Sequence, residues 1–242
     1  MNEQPAIEIF GVRILEPVTT FTDLVISAVC FYAFLKLSRI PVDNKVHFFL
    51  RYYFLSMAIA TAFGGLMGHG FSYLFSDENS IGVSPWKLPG WLISMISIAL
   101  IERASIEYAR KIINPKVGKF FAWLNIVELL TFMTITFITL DFFFVEVHSA
   151  YGLLVVVAGF NVFIYYRTRS KASKLFLIAV GISALSAVIF MNELGINKWF
   201  NHFDISHCLM AISAYFFYLG AKEELENPLE YSNINHSKFL KV

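Results

Sequence analysis

The chain is poor in charge. Asp, Glu, Lys and Arg make up only 15% of its 242 residues, whereas a soluble domain is nearer a quarter charged. That shortage argues against an ordinary water-soluble enzyme. The net charge of +1 offers no basic surface for nucleic acid, and no nucleic-acid partner is expected. Cysteine is scarce as well. Cys30 and Cys208 are the two present, and both fall inside apolar runs, which argues against a disulfide framework. No lysine lies between Phe203 and Gly220, so the last apolar run lacks the residue a retinal Schiff base needs. Internal repeats and paired Gly/Pro-broken segments, the marks of a transporter, are missing. No basic leader precedes the first apolar run at residue 17, so that run reads as an anchor rather than a cleaved signal.

Apolar sequence fills the space. Hydrophobic residues are 57% of the chain and the mean hydropathy is +0.62. Several runs reach the roughly 20 residues that a helix needs to cross a hydrocarbon core of about 30 Å. Backbone polar groups in lipid must be paired within the segment, which favours helices. The reading is an all-α, polytopic membrane protein: a single transmembrane domain over 1–242, folded as a seven-transmembrane helix bundle. Its spans are 17–37, 49–75, 88–108, 120–140, 147–166, 175–191 and 203–220, and 221–242 form a short polar tail. The fourth and fifth spans are one unbroken apolar stretch, 120–166. As a single helix it would be about 70 Å long, more than twice the membrane thickness. It must therefore fold back, and Asp141, Glu146 and His148 mark the cheapest place to turn. The 26 phenylalanines read as lipid-facing and interhelical packing.

Basic residues give an orientation. Lys36, Arg39, Lys45 and Arg51 share one side with Arg103, Arg110, Lys111, Lys116 and Lys119, with Arg167, Arg169, Lys171 and Lys174, and with Lys222, Lys238 and Lys241. Only Arg13, Lys87 and Lys198 fall on the other. Positive loops stay in the cytoplasm, so the N-terminus is expected outside and the C-terminus inside. The loop 76–90, with Pro85, Trp86 and Pro89, is expected at the outer interface, where Trp is favoured.

Ionisable groups within spans are functional candidates by default. His69 lies about 9 Å in from the outer end of the second span, Asp23 about 9 Å in from that of the first, and His207 about 6 Å in from that of the seventh. Three ionisable side chains thus share one layer. The run Gly64-Gly65-Leu66-Met67-Gly68-His69-Gly70 reads first as close helix packing through small residues. Asp204 and His207, three apart, share a helix face. His202 and His207 are about 140° apart on a regular helix, so His202 joins His207 only if the helix begins after it. His69, His207 and His202 are the candidate metal ligands and zinc the expected cofactor, since three N/O ligands with one open position suit a catalytic zinc. Asp23 and Asp204 are the candidate catalytic residues. Asp23 would serve as general base or as the third metal ligand, and Asp204 would move protons, bind the metal or hold the second ring nitrogen of His207. Glu102 and Glu128 read as a pair sharing a proton, or as partners of Arg103.

On His69 and on His207 within Asn201-His202-Phe203-Asp204-Ile205-Ser206-His207, the chain resembles an uncharacterised bacterial seven-transmembrane family. It is also distantly similar to the membrane hydrolase superfamily of alkaline ceramidases and adiponectin-receptor-type proteins. That resemblance implies zinc held by one His from the second helix and a His pair from the seventh, hydrolysis of lipid amides or esters, membrane lipids as partners and substrate source, and a place in the bacterial cytoplasmic membrane. The sequence departs from the superfamily pattern at Phe203, where a His is expected four before His207, and at Gly65, where a Ser is expected. Two function classes follow: a zinc-dependent hydrolase of lipid amides or esters, or a non-enzymatic ligand-binding or sensory protein in which His69, Asp204 and His207 are structural polar contacts.

Overall fold

The computed structural model describes residues 4–75 and 85–229. Seven of its helices are long and apolar enough to cross a membrane, as the composition requires. Helix α1 is Pro17–Leu37. Helix α2, Lys45–Phe63, continues as a π-helical stretch, Gly64–Gly70. Helix α3 is Leu88–Ala109 and α4 is Pro115–Thr139. The fifth span is α5, Phe143–Ala150, carried through a π-helical stretch, Tyr151–Val157, into α6, Ala158–Thr168. Helices α7, Lys171–Met191, and α8, His202–Glu226, complete the bundle.

The fold-back falls at Asp141. Leu140 ends α4 in the left-handed region at φ 53°, and Asp141 Oδ1 accepts the Phe143 amide at 3.0 Å. That side-chain bond does the work of the absent Gly or Pro. Several helices outrun their hydropathy peaks because capping, rather than apolarity, sets where a helix ends. Asn44 caps α2 through the His47 amide, Asn114 caps α4 through Lys116, and Ser170 caps α7 through Ser173. Helix α8 continues six residues past Gly220, because Ala221, Glu224 and Leu225 still face the interior. The first part of the expected tail is therefore helix; 230–242 lie outside the described residues, as do 76–84 of the loop before α3. The second span ends earlier than expected. Residues 71–75 leave the helix as a short 3-10 turn, which puts His69 at the last turn instead of well inside.

Burial is uneven. About half of the apolar windows of the second and third spans is buried, against 22% for the fourth and sixth. The second and third spans are central, and α4 and α7 present most of their apolar surface outward, as helices in lipid do. Helices α1 and α8 are neighbours: Tyr32 and Tyr218 meet edge to face at 5.7 Å, and Thr19 bonds Asp204.

A β-hairpin precedes the bundle. Strand β1, Ile7–Ile9, pairs antiparallel with β2, Val12–Ile14, through a two-residue turn in which Phe10 and Gly11 both have positive φ. That is the turn whose twist matches a hairpin. The hairpin docks on the end of the second span: the Leu15 amide donates to Gly70 O at 2.9 Å, and the Tyr73 hydroxyl donates to Arg13 O at 3.0 Å. This end is called the hairpin end below; the basic residues cluster at the other.

Close approach explains Gly65 of the second span but not Gly68. A Cβ on Gly65 would lie 2.8 Å from Asp23 Cβ and 3.1 Å from Thr20 O, whereas one on Gly68 would meet nothing. Gly65→Ala therefore forces α1 away and should cost about 1–3 kcal/mol, while Gly68→Ala should be close to neutral. Thermal unfolding of the two variants in detergent checks this; equal stability would contradict the packing described.

Candidate functional site

At the hairpin end three electron-rich side chains face one another. Asp23 projects from α1, His69 from the π-helical stretch and His207 from α8. His69 Nε2 lies 3.9 Å from Asp23 Oδ2, and His207 Nε2 lies 3.6 Å from Asp23 Oδ1. The two ring centroids are 6.4 Å apart, with the carboxylate reaching both. All three side chains are largely buried.

The outer nitrogens fix the tautomers. His69 Nδ1 bonds Glu16 Oε2, and an ionised carboxylate only accepts, so Nδ1 carries the hydrogen. His207 Nδ1 lies 3.1 Å from Thr22 Oγ1. The Thr22 hydroxyl has one proton, which it donates to Thr19 O at 3.0 Å, so His207 Nδ1–H donates to Thr22. In neutral imidazoles with hydrogen on Nδ1, Nε2 bears a lone pair. Both bare nitrogens then lie within 4 Å of an Asp23 carboxylate oxygen. Such a group is stable only with a cation among its members, a proton or a metal ion. Burial pushes the Glu16 carboxyl up, but its hydrogen bond with His69 and its attraction to His69, Lys87 and His207 outweigh that and hold it below its ordinary value.

Local sequence explains the convergence. The glycines at 64 and 65 let the second span lie against Asp23, and π-helical turns often mark functional positions. Phe203 packs edge-on against His69 at 5.7 Å and lies 6.5 Å from His207, giving the site an apolar wall. The N-terminal segment crosses beside it through the Leu15–Gly70 bond.

The structure thus brings together Asp23, His69 and His207, adds Glu16 and Thr22, and leaves two expected residues aside. The His202 ring packs, tilted, against Phe203 at 4.4 Å and Phe190 at 5.7 Å. As the first residue of α8, on a different face from His207, it turns elsewhere, as the 140° offset implies. Asp204 is the capping-box residue of α8. Its oxygens accept from the Asn201 amide at 2.7 Å, Thr19 Oγ1 at 2.8 Å and Gln4 Nε2. The second nitrogen of His207 goes to Thr22, not Asp204. Glu16, just outside the first span, and Thr22, uncharged, carried no signal that sequence reasoning could use.

A second polar cluster lies inside the bundle. Among the described residues, Glu102, Glu128 and His148 are the one group of three or more His, Cys, Asp or Glu residues whose donor atoms all lie within 4.8 Å of one another. His148 was read from sequence only as a turn marker. Arg103 does not neutralise the cluster: it bonds Glu107 at 3.3 Å and Ala122 O at 2.6 Å.

Residues 18–226 match a family of unknown function, DUF6962. The chain belongs to this family. No curated protein and no solved structure matches it. The DUF6962 match covers all seven spans but for Pro17, and both polar clusters but for Glu16. It carries no link to the ceramidase and adiponectin-receptor-type hydrolases and no indication of a bacterial source.

Asp204 ties α8 to α1 and to the N-terminal segment. Asp204→Ala removes a helix cap and two interhelical or strap bonds, and should lower stability by on the order of 2 kcal/mol. Chemical or thermal unfolding in detergent reads this; unchanged stability would free Asp204 for a chemical role.

Proposed function

We propose that this protein is an integral membrane hydrolase whose hairpin-end site holds zinc and cleaves an amide or ester carbonyl carried by a lipid. One observation carries the reading: His69 Nε2 and His207 Nε2 lie 3.9 and 3.6 Å from the two oxygens of Asp23, with each ring held from behind by Glu16 or Thr22. Metal-binding histidines are usually anchored in this way through their second nitrogen. The donor set of two imidazoles and a carboxylate is one that catalytic zinc uses. His69, His207 and Asp23 would be the ligands, with Asp23 taking the third-ligand role rather than that of general base. Zinc, when bound, supplies a Lewis acid and a water ionised near neutral pH.

The chain's own residues do the rest. Glu16 fixes the orientation of the His69 ring, and Thr22 fixes that of His207. Phe203 excludes water on one side and offers an apolar contact for an acyl chain. Asp204, engaged in capping, holds α8 in the register that places His207. The competing reading is a ligand-binding or sensory protein in which His69, Asp204 and His207 are structural polar contacts.

We place the protein in the cytoplasmic membrane with the basic end inside, following the positive-inside rule. The site then opens on the outer face. Gly11→Cys, in the hairpin turn, should react with a membrane-impermeant maleimide in intact cells; labelling only after lysis would reverse the orientation.

The function is tested on purified full-length chain. About one zinc ion per chain should be lost at this site in His207→Ala and in Asp23→Asn. Release of fatty acid from a panel of N-acyl and O-acyl lipids should fall by at least about a hundredfold in both. Unchanged zinc content in the two variants, or hydrolysis that survives them, would remove the reading.

A further inference from the structure

The cluster inside the bundle is chemically incomplete. Glu102 and His148 are fully buried and Glu128 is 8% exposed, each from a different span. Glu128 stands near the middle of α4, thirteen residues after Pro115 and eleven before Thr139. Two carboxylates and an imidazole here carry two negative charges if ionised, and desolvation opposes that burial without a counter-charge. The nearest arginine in sequence, Arg103, is engaged with Glu107 and Ala122 O instead. No Lys or Arg ion pair involves Glu102 or Glu128 among the described residues.

The hydrogen-bond inventory points the same way. Glu102 Oε1, both Glu128 oxygens and both His148 nitrogens are buried without a hydrogen-bond partner. His148 Nε2 lies 2.9 Å from Glu128 Oε1, close enough for a bond but not aligned for one. Two atoms at that separation and out of hydrogen-bond alignment are what adjacent ligands of one ion look like. Metal–ligand bonds of about 2.0–2.2 Å set neighbouring ligands about 3 Å apart. The remaining oxygen, Glu102 Oε2, is held by Asn125 Nδ2 at 3.1 Å, and that amide also bonds Ala99 O at 3.2 Å. Asn125 thus aims the Glu102 carboxylate, with Oε1 left facing inward, the supporting role that partners of metal ligands commonly play.

The backbone makes room for this arrangement. A Cβ on Gly152 would lie 2.3 Å from Glu102 Oε1 and 2.5 Å from Ile98 Cγ2. Gly152 belongs to the π-helical stretch Tyr151–Val157, which begins three residues after His148. Each polar cluster therefore lies beside one of the two π-helical stretches, where extra residues re-aim side chains.

We propose that Glu102, Glu128 and His148 hold one divalent first-row transition-metal ion, of the manganese, iron or zinc class, inside the bundle. Mixed carboxylate and imidazole donors suit those ions, and bundle interiors are where facing helices build such sites. One divalent ion balances two carboxylates. It ties the third, fourth and fifth spans together, including α4, the span with the least buried surface of the three. The site is separate from the one at the hairpin end and shares no residue with it.

Metal binding to chelator-stripped full-length protein in detergent tests this, with Mn²⁺, Fe²⁺ and Zn²⁺ each added alone. The wild type should bind about one equivalent that Glu128→Gln and His148→Ala weaken by at least about tenfold, and that Asp23→Asn and His207→Ala leave in place. Gly152→Ala should weaken it too, by crowding Glu102. Should a variant not fold, pulsed electron paramagnetic resonance of Mn²⁺ in the wild type decides. One imidazole nitrogen coupled to the ion supports the site, since the hairpin-end site would show two. Equal binding by wild type, Glu128→Gln and His148→Ala overturns the proposal. So does the absence of binding by all three metals, or an infrared band of a protonated buried carboxyl that Glu128→Gln removes.

Discussion

Asp23 organises the hairpin end of this bundle. A carboxylate buried among apolar helices is costly unless it is paired, and the surrounding sequence supplies its company from three directions. The glycines at 64 and 65 let the second span approach its Cβ, the π-helical stretch brings in His69, and α8 brings in His207. Glu16 and Thr22 then hold the two rings so that their free nitrogens face the carboxylate. Each of these contacts makes sense only if positive charge belongs among them.

Bundle architecture and site chemistry depend on each other. Thr19, Thr22 and Asp23 lie within one turn or so of α1, and together they contact Asp204, His207 and His69. The packing of α1 against α8, the end of the second span and the position of the N-terminal segment are fixed by these few polar contacts, because Gln4 and Thr19 both bond Asp204. Hydrophobic burial cannot provide such register in a membrane, where lipid is as apolar as the helices. The buried polar groups therefore specify which helices meet, and where along their length.

Much of this was legible in sequence. Seven apolar runs gave seven helices, and the turn at Asp141 fell where charge interrupts the longest run. Counting depth along the spans placed Asp23, His69 and His207 in one layer, and the three do converge. Other features were not legible, for identifiable reasons. Helix ends follow Asn44, Asn114 and Ser170 caps, which hydropathy does not weigh. The N-terminal hairpin is too short to carry a periodic signal. The π-helical stretches each contain glycine, and depth counting at 1.5 Å per residue does not hold across them. His148 looked like a turn residue because it stands near the fold-back; only the packing of three spans reveals Glu102 and Glu128 beside it.

The central claim is that His69 and His207 both carry their hydrogen on Nδ1 and present a bare Nε2 to Asp23. Nitrogen-15 resonances of histidine-labelled protein report this directly. Both rings should show a protonated Nδ1 and an Nε2 with no attached hydrogen, the latter shifting when zinc is added. An Nε2–H on either ring would contradict the claim and leave the three residues as a hydrogen-bonded contact between helices.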